Sequence, residues 1–276
     1  MRNNVHGIRQ IKQAYILEKA EQYKAVMAFS LRTGGCSGGP YKSLNFSTSS
    51  GDSETHIHKN LEILSDQLNI SSSSIISCHQ EHGDNILIFD HFPKVTMRGD
   101  AIIALEPGMY PSVKTADCLP ILIIDPITKI SAAIHAGWRG TVLRITRKVL
   151  ITMTTKLGCK LENLLIALGP AVGVCCYEVD QTVIKPLLSS MPWAEKFAVQ
   201  VKTDSQKLLK KAKIDLASIN RHELVESGIL PENIYLLNMC TSCHEDKFFS
   251  YRRDGEFSGR SIAITGFRSL IEKKSV

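Results

Sequence analysis

Two short apolar runs, ILIID at 121–125 and ISAAI at 130–134, stand four residues apart, and Pro126 opens the connection between them. Proline already carries the φ that the first corner of a turn needs. Four residues are an ordinary hairpin loop. The pair therefore predicts an antiparallel hairpin, and the hairpin constrains what flanks it. In such a pair the start of one strand lies beside the end of the other. TADCLP, before the first run, and HAGWRG, after the second, must meet at the open end. Cys118 and His135 are thereby brought to one place.

A thiolate and an imidazole that converge are good ligands for zinc. A third ligand has to come from elsewhere. His82 in HQEHGD, at a turn after an apolar segment, is the first candidate, and His79 competes with it. Three protein ligands with water in the fourth position are the pattern of a catalytic zinc. Two other readings stay open on spacing alone. Cysteine is among the most buried residue types, so Cys118 could simply pack. It could also be a nucleophile with His135 as its base and Asp117 or another acid orienting the base.

The rest of the chain supplies a mixed set of elements. YKAVMAFSLR (23–32) reads as a strand that runs into a glycine-rich loop at 33–45. Ile57, Leu61, Ile63, Leu64 and Leu68 fall near helical spacing and predict an amphipathic helix over 53–68. SIISCHQEHGDNILIFD reads as two strands around a turn at Gly83–Asp84, and GDAIIAL as a further strand. A helix is expected over 141–157, ending at Gly158, and another over 205–227, ending at Gly228. NLLIALG (163–169), NIYLLN (233–238), KFFSYRR (247–253) and SIAITGF (261–267) read as strands. Helices mixed with hairpins predict an α+β fold with mixed sheets. With no repeat, low-complexity segment or Pro/Gly-rich linker, residues 1–276 are expected to form one domain, with 1–22 and 269–276 at its periphery.

Composition excludes several classes. The net charge of +6 is scattered rather than clustered, which suits a small anion and gives no footprint for nucleic acid. The densest basic runs, Lys207–Lys213 and Lys273–Lys274, read as a solvated helix face and a tail. No apolar stretch approaches the roughly 18 residues of a membrane helix, and the N-terminus has no apolar signal core. A cytoplasmic chain is expected, with its eight cysteines mostly reduced. CTSCH at 240–244 matches a haem-attachment pattern, but such haems are attached after export. A structural zinc would want a second ligand pair, and Cys175–Cys176 lacks the CxxC spacing. Packing and loop geometry account for the motif best. A trinuclear copper cluster needs several His-x-His pairs, whereas the nine histidines make one, His56–His58.

HAGWRGT has two glycines that admit close backbone approach and leads into a helix, whose first N–H groups favour an anion. Arg139 could add paired hydrogen bonds to phosphate. Arg32 and Arg252 follow it as phosphate candidates, with Asn45 at the end of the glycine-rich loop. YRRDGEFSGR (251–260) could wall such a site.

LRTGGCSGGPYKSLN, QEHG, TADCLPILIID, HAGWRGT, LGPAVGVCCYEV and CTSCHEDKFFSYRRDGEFSGR occur in the order in which they occur in the YfiH/YlmD family, known as laccase-domain or polyphenol-oxidase-type proteins and as purine nucleoside phosphorylases. The resemblance runs from about residue 26 to residue 268. It implies zinc held by His82, Cys118 and His135, with copper as the competing ion. It also implies phosphorolysis of adenosine, inosine and S-methyl-5'-thioadenosine, with adenosine deamination beside it. The implied fold is a layered sandwich of mixed sheets with outer helices, related to the catalytic domain of cytotoxic necrotizing factor. The implied partners are purine nucleosides and inorganic phosphate, while oligomeric state stays open. Asp117 would catalyse or orient a histidine ligand. Glu81, where the family commonly carries valine, would alter the polarity of the pocket. The competing functions are a cysteine hydrolase and a copper-dependent polyphenol oxidase.

Overall fold

The computed structural model describes residues 4, 5, 7–200 and 211–269. Two sheets stack face to face, and each carries a helix on its outer face. The predicted hairpin is central to one of them. Leu119–Ile124 pairs antiparallel with Ser131–Ala136, in a register that sets Pro120 against His135 and Leu119 against Ala136. This six-stranded sheet runs in the order Ile234–Leu236, Leu165–Leu168, Leu119–Ile124, Ser131–Ala136, Ala101–Ala104, Ile86–Phe89, with parallel pairing at both edges. The seven-stranded sheet runs Asn4–Val5, Ile8–Gln10, Ala14–Leu17, Ala25–Ser30, Ser261–Phe267, Tyr110–Thr115, Ile75–Ile76.

This layering explains why the hairpin strands read as unbroken apolar runs. Successive side chains point to opposite faces, and both faces are covered. Leu122, Ile124 and Ala133 pack on Tyr15, Met27, Phe29 and Ala263 of the other sheet. Ile121, Ile123 and Ile134 pack on Ile145, Val149 and Met153 of the helix Ile145–Lys156. The outer face of the seven-stranded sheet receives Leu64 and Leu68 of the helix Glu54–Leu68. Each fully buried Leu, Ile or Phe side chain stabilises the fold by about 1.5–3 kcal/mol. A three-stranded sheet, Glu178–Asp180, Lys211–Ile214 and Ala198–Gln200, closes one side with the helix Gln181–Ser190.

Several expectations need correction. From Ile8 onward the N-terminal segment is not peripheral, because Ile8, Tyr15 and Leu17 are buried between the sheets, while 1–3, 6 and 270–276 lie outside the described residues. Ile75–Ile76 and Ile86–Phe89 do not form a hairpin; they join different sheets, and the loop between them carries the QEHG motif. The helix expected over 141–157 breaks at Arg144, whose φ of +60° ends the short helix Trp138–Val142 before Ile145–Lys156 begins. Arg144 is held there by an ion pair to buried Glu223 at 2.6 Å. Of the helix expected over 205–227, the part from Leu216 to Glu226 is helical, Lys211–Ile214 is a strand, and 205–210 lie outside the described residues. Lys207, Lys210 and the Lys273–Lys274 tail also lie outside them. KFFSYRR is not a strand. Phe248 and Phe249 are buried in a loop, and Ser250 Oγ accepts the Arg253 N–H at 3.2 Å, capping the short helix Tyr251–Asp254.

Candidate active site

The hairpin delivers Cys118 and His135 to its open end, as the register requires, and the loop before Ile86 delivers His82. Their ligand atoms lie within 4.8 Å of one another. The two imidazole rings are 4.8 Å apart, close to edge-on. His79 is not part of this trio and instead lines the cleft beside it. Gly137 is required here: a Cβ at that position would stand 2.9 Å from Cys118 Sγ.

Asp100, which no motif marks, organises the trio. Its Oδ1 lies 2.8 Å from His135 Nδ1. Its carboxylate also accepts the backbone N–H groups of Glu81, His82 and Gly83 at 3.2, 3.0 and 2.7 Å. One buried carboxylate therefore orients one histidine and holds the loop that carries the other, with His82 at a φ of +60°. Burial works against the ionised form of Asp100, yet these hydrogen bonds outweigh it and hold the carboxyl below its usual range. The bond to Nδ1 leaves Nε2 of His135 as the nitrogen available to a metal.

Desolvation likewise opposes ionisation of Cys118, but the charges and hydrogen bonds of His135 and His82 prevail and bring the thiol down to about 6. Burial lowers His135, while the Cys118 sulfur and Asp100 raise it, with a net upward shift. Once a metal displaces the proton from His135, a thiolate and two neutral imidazoles remain, a donor set that fits a borderline or soft divalent metal.

The trio lies in a cleft of about 780 Å3. Arg252, Arg260 and Lys114 bring positive charge to its walls, and Tyr177 and Tyr251 bring rings. Burial depresses Lys114 and Arg260. Arg260, Lys114 and both tyrosines escaped the sequence reading; Arg260 and Tyr251 end the YRRDGEFSGR segment that it placed as a possible wall.

The remaining candidates do other work. Asp117, at a φ of +93°, lines the cleft, but its carboxylate is taken up by Thr241 and Arg252. Its Oδ1 accepts Thr241 Oγ1 and its Oδ2 accepts the Arg252 N–H, both at 2.5 Å, so it fixes the 241–252 wall. Arg32 donates to the carbonyls of Lys42 and Glu245 at 3.1 Å and stacks on Phe249; it joins loops and does not line the cleft. Arg139 stacks on Trp138, and the segment 137–141 is not part of the cleft lining. Asn45 is fully buried. It accepts the N–H groups of Ser47 and Arg260 and donates to Asp52, which positions the Ser47–Ser49 stretch of the wall from behind. Glu81 pairs with Arg98 at the surface at 2.5 Å, away from the cleft lining. His56 and His58 sit on the outer helix, where His56 faces Asp52 at 3.3 Å.

Residues 26–268 match the family described as multi-copper polyphenol oxidoreductase laccase. A purine nucleoside phosphorylase, YlmD, of Geobacillus stearothermophilus is 32% identical over 259 residues, covering 88% of this chain and 90% of that protein. An adenosine deaminase, RL5, from an unknown prokaryotic organism is 30% identical over 256 residues, covering 89% and 95%. The crystal structure of YfiH from Bacillus licheniformis superposes with a TM-score of 0.87 at 26% identity, over 96% of this chain and all of that one. The match over most of the chain, together with this fold and the ordered motifs, places the chain in the laccase-like family that includes the YlmD and YfiH proteins.

Proposed function

We propose that the cleft is the site of a zinc-dependent purine nucleoside phosphorylase that also deaminates adenosine. The observation that carries this reading is the convergence of His82, Cys118 and His135 on the wall of a nucleoside-sized cleft that also presents Arg252, Arg260 and Lys114. Zinc suits two imidazoles and a thiolate, with copper as the ion that competes for the same donors. When bound, the metal supplies Lewis acidity. The chain's own residues do the rest. Asp100 fixes the tautomer of His135 and the position of His82. Arg252, Arg260 and Lys114 hold phosphate, and Tyr177 and Tyr251 offer faces to a purine. In phosphorolysis a phosphate oxygen bonds to C1′ as the bond to the base breaks, so positive charge beside the ribose is what the reaction needs. Adenosine, inosine and S-methyl-5'-thioadenosine are the proposed substrates. Eight free thiols suit a reducing cytoplasm, and no described helix is long and apolar enough to cross a membrane.

The family description mentions several coppers. Among the described residues two groups could hold a metal ion, and neither is a cluster of histidine pairs. A multicopper oxidase is therefore not the reading we adopt. One observation does favour a second reading. Cys118, His135 and Asp100 align as a nucleophile, base and orienting acid would, with Asp100 rather than Asp117 as the acid. His82 beside the same sulfur favours the metal instead.

The test is incubation of metal-analysed protein with adenosine, with and without phosphate. Ribose 1-phosphate formed only when phosphate is present supports the proposal. Absence of turnover of any purine nucleoside contradicts it. A Cys118→Ser variant that keeps full metal but loses activity would favour the thiol nucleophile.

A further inference from the structure

CTSCH was expected to be packing and loop geometry, but the fold brings it against the other cysteine pair. The Sγ atoms of Cys175, Cys176, Cys240 and Cys243 all lie within 4.8 Å of one another. Cys243 Sγ stands 3.5 Å from that of Cys175 and 3.4 Å from that of Cys176. All four are free thiols, and these separations are far from the ~2.05 Å of a disulfide. They are near the spacing of a metal tetrahedron: with zinc–sulfur bonds of about 2.3 Å, sulfurs sit about 3.8 Å apart. We propose that these four cysteines bind a second zinc ion, structural in character and separate from the His82–Cys118–His135 site.

Two turns build the cluster. In the first, the N–H groups of Cys176 and Tyr177 return to the Gly173 carbonyl, which brings both neighbouring sulfurs into the group. In the second, Cys240 and Cys243 flank a tight turn, the usual way for a CxxC pair to share a metal. The surroundings suit a thiolate site. The Gly173 N–H donates to Cys240 Sγ at 3.2 Å. Arg253, paired with Asp254, donates to the carbonyls of Thr241 and Ser242 at 3.0 and 3.2 Å and so fixes the second turn. Four protein donors close the coordination sphere, which is the mark of a structural zinc.

Its place defines its role. Val172 and Tyr177 flank the first turn, Thr241 lies in the second, and Arg252 follows soon after. Val172, Tyr177 and Arg252 line the cleft, and Val172, Thr241 and Arg252 all bond to Asp117. The ion ties the two walls together from behind.

The test is zinc counting on full-length protein purified under reducing conditions. Wild type should hold about two ions per chain, and Cys118→Ser about one. Cys118→Ser leaves the four-cysteine cluster intact, so its result does not depend on whether a cluster variant folds. Cobalt exchanged into Cys118→Ser should give the intense sulfur-to-cobalt absorption of a tetrathiolate site. That absorption should disappear in Cys118→Ser/Cys243→Ser. Zinc-free Cys118→Ser protein after growth in zinc, no tetrathiolate absorption, or a Cys240–Cys243 disulfide under the same conditions would overturn the proposal.

Discussion

The two clusters of soft donors differ in how the chain builds them. His82, Cys118 and His135 stand at the ends of strands and in a loop bound to a buried carboxylate. Their spacing is set by a hydrogen-bonded register, and three donors leave a face open to the cleft. Cys175, Cys176, Cys240 and Cys243 sit on two turns near the surface, with Cys175 and Cys243 exposed, and four donors leave no face open. The fixed ends of central strands suit a site that must keep an incomplete coordination sphere. Turns have no such rigidity of their own, and a closed sphere can supply it.

The largest expected effect lies at the open site. His135→Ala should abolish both metal binding there and turnover, measured as zinc stoichiometry and ribose 1-phosphate formation. Asp100→Asn keeps the size of the side chain but weakens its hold on His135 and the His82 loop. A loss of about 10–100-fold in metal affinity is expected, read by chelator competition. If it binds zinc as wild type does, Asp100 is not the organiser of the site.

Next in size is the cationic wall. Arg252→Ala and Arg260→Ala each remove a charged hydrogen-bonding group. Each should lower kcat/KM for phosphate by about 10–100-fold, equivalent to about 1.5–3 kcal/mol. Arg139→Ala should change it by less than about threefold, since that side chain stacks on Trp138 outside the cleft. Equal losses at Arg139 and Arg252 would put the phosphate on the HAGWRG side. Arg32→Ala should act on stability instead. It removes hydrogen bonds to two carbonyls across two loops, and a fall in Tm with little change in KM is the expected signature.

The smallest effect is one of pH. The folded carboxyl of Asp100 lies below its unfolded value. Its contribution is then fully present above the unfolded pKa of about 4 and is lost as pH falls through the lower folded value. Acid unfolding of wild type, followed by circular dichroism, should be steeper in that window than that of Asp100→Asn.

The same contrast explains what could be read from sequence. The open end of the hairpin was legible, because a strand register turns a spacing of 17 residues between Cys118 and His135 into proximity. His82 was a candidate among two, and the family resemblance singled it out. Asp100 was not legible. It precedes the strand Ala101–Ala104 without a motif, and its role comes from pairing of that strand with Ser131–Ala136. The four-cysteine cluster was missed for a related reason: no regular spacing links two turns about 65 residues apart. Period-2 reasoning also failed where the chain leaves the sheets, as at Phe248 and Phe249, whose burial comes from a loop folded over the core.

Phosphorolysis should depend on the metal held at the open site. The direct measurement is the rate of ribose 1-phosphate formation from adenosine and phosphate as zinc is withdrawn by a chelator and then restored. The rate should fall in step with loss of the ion that Cys118→Ser lacks, and return when zinc is added back. Full phosphorolysis by protein whose His82–Cys118–His135 site is free of metal would contradict it.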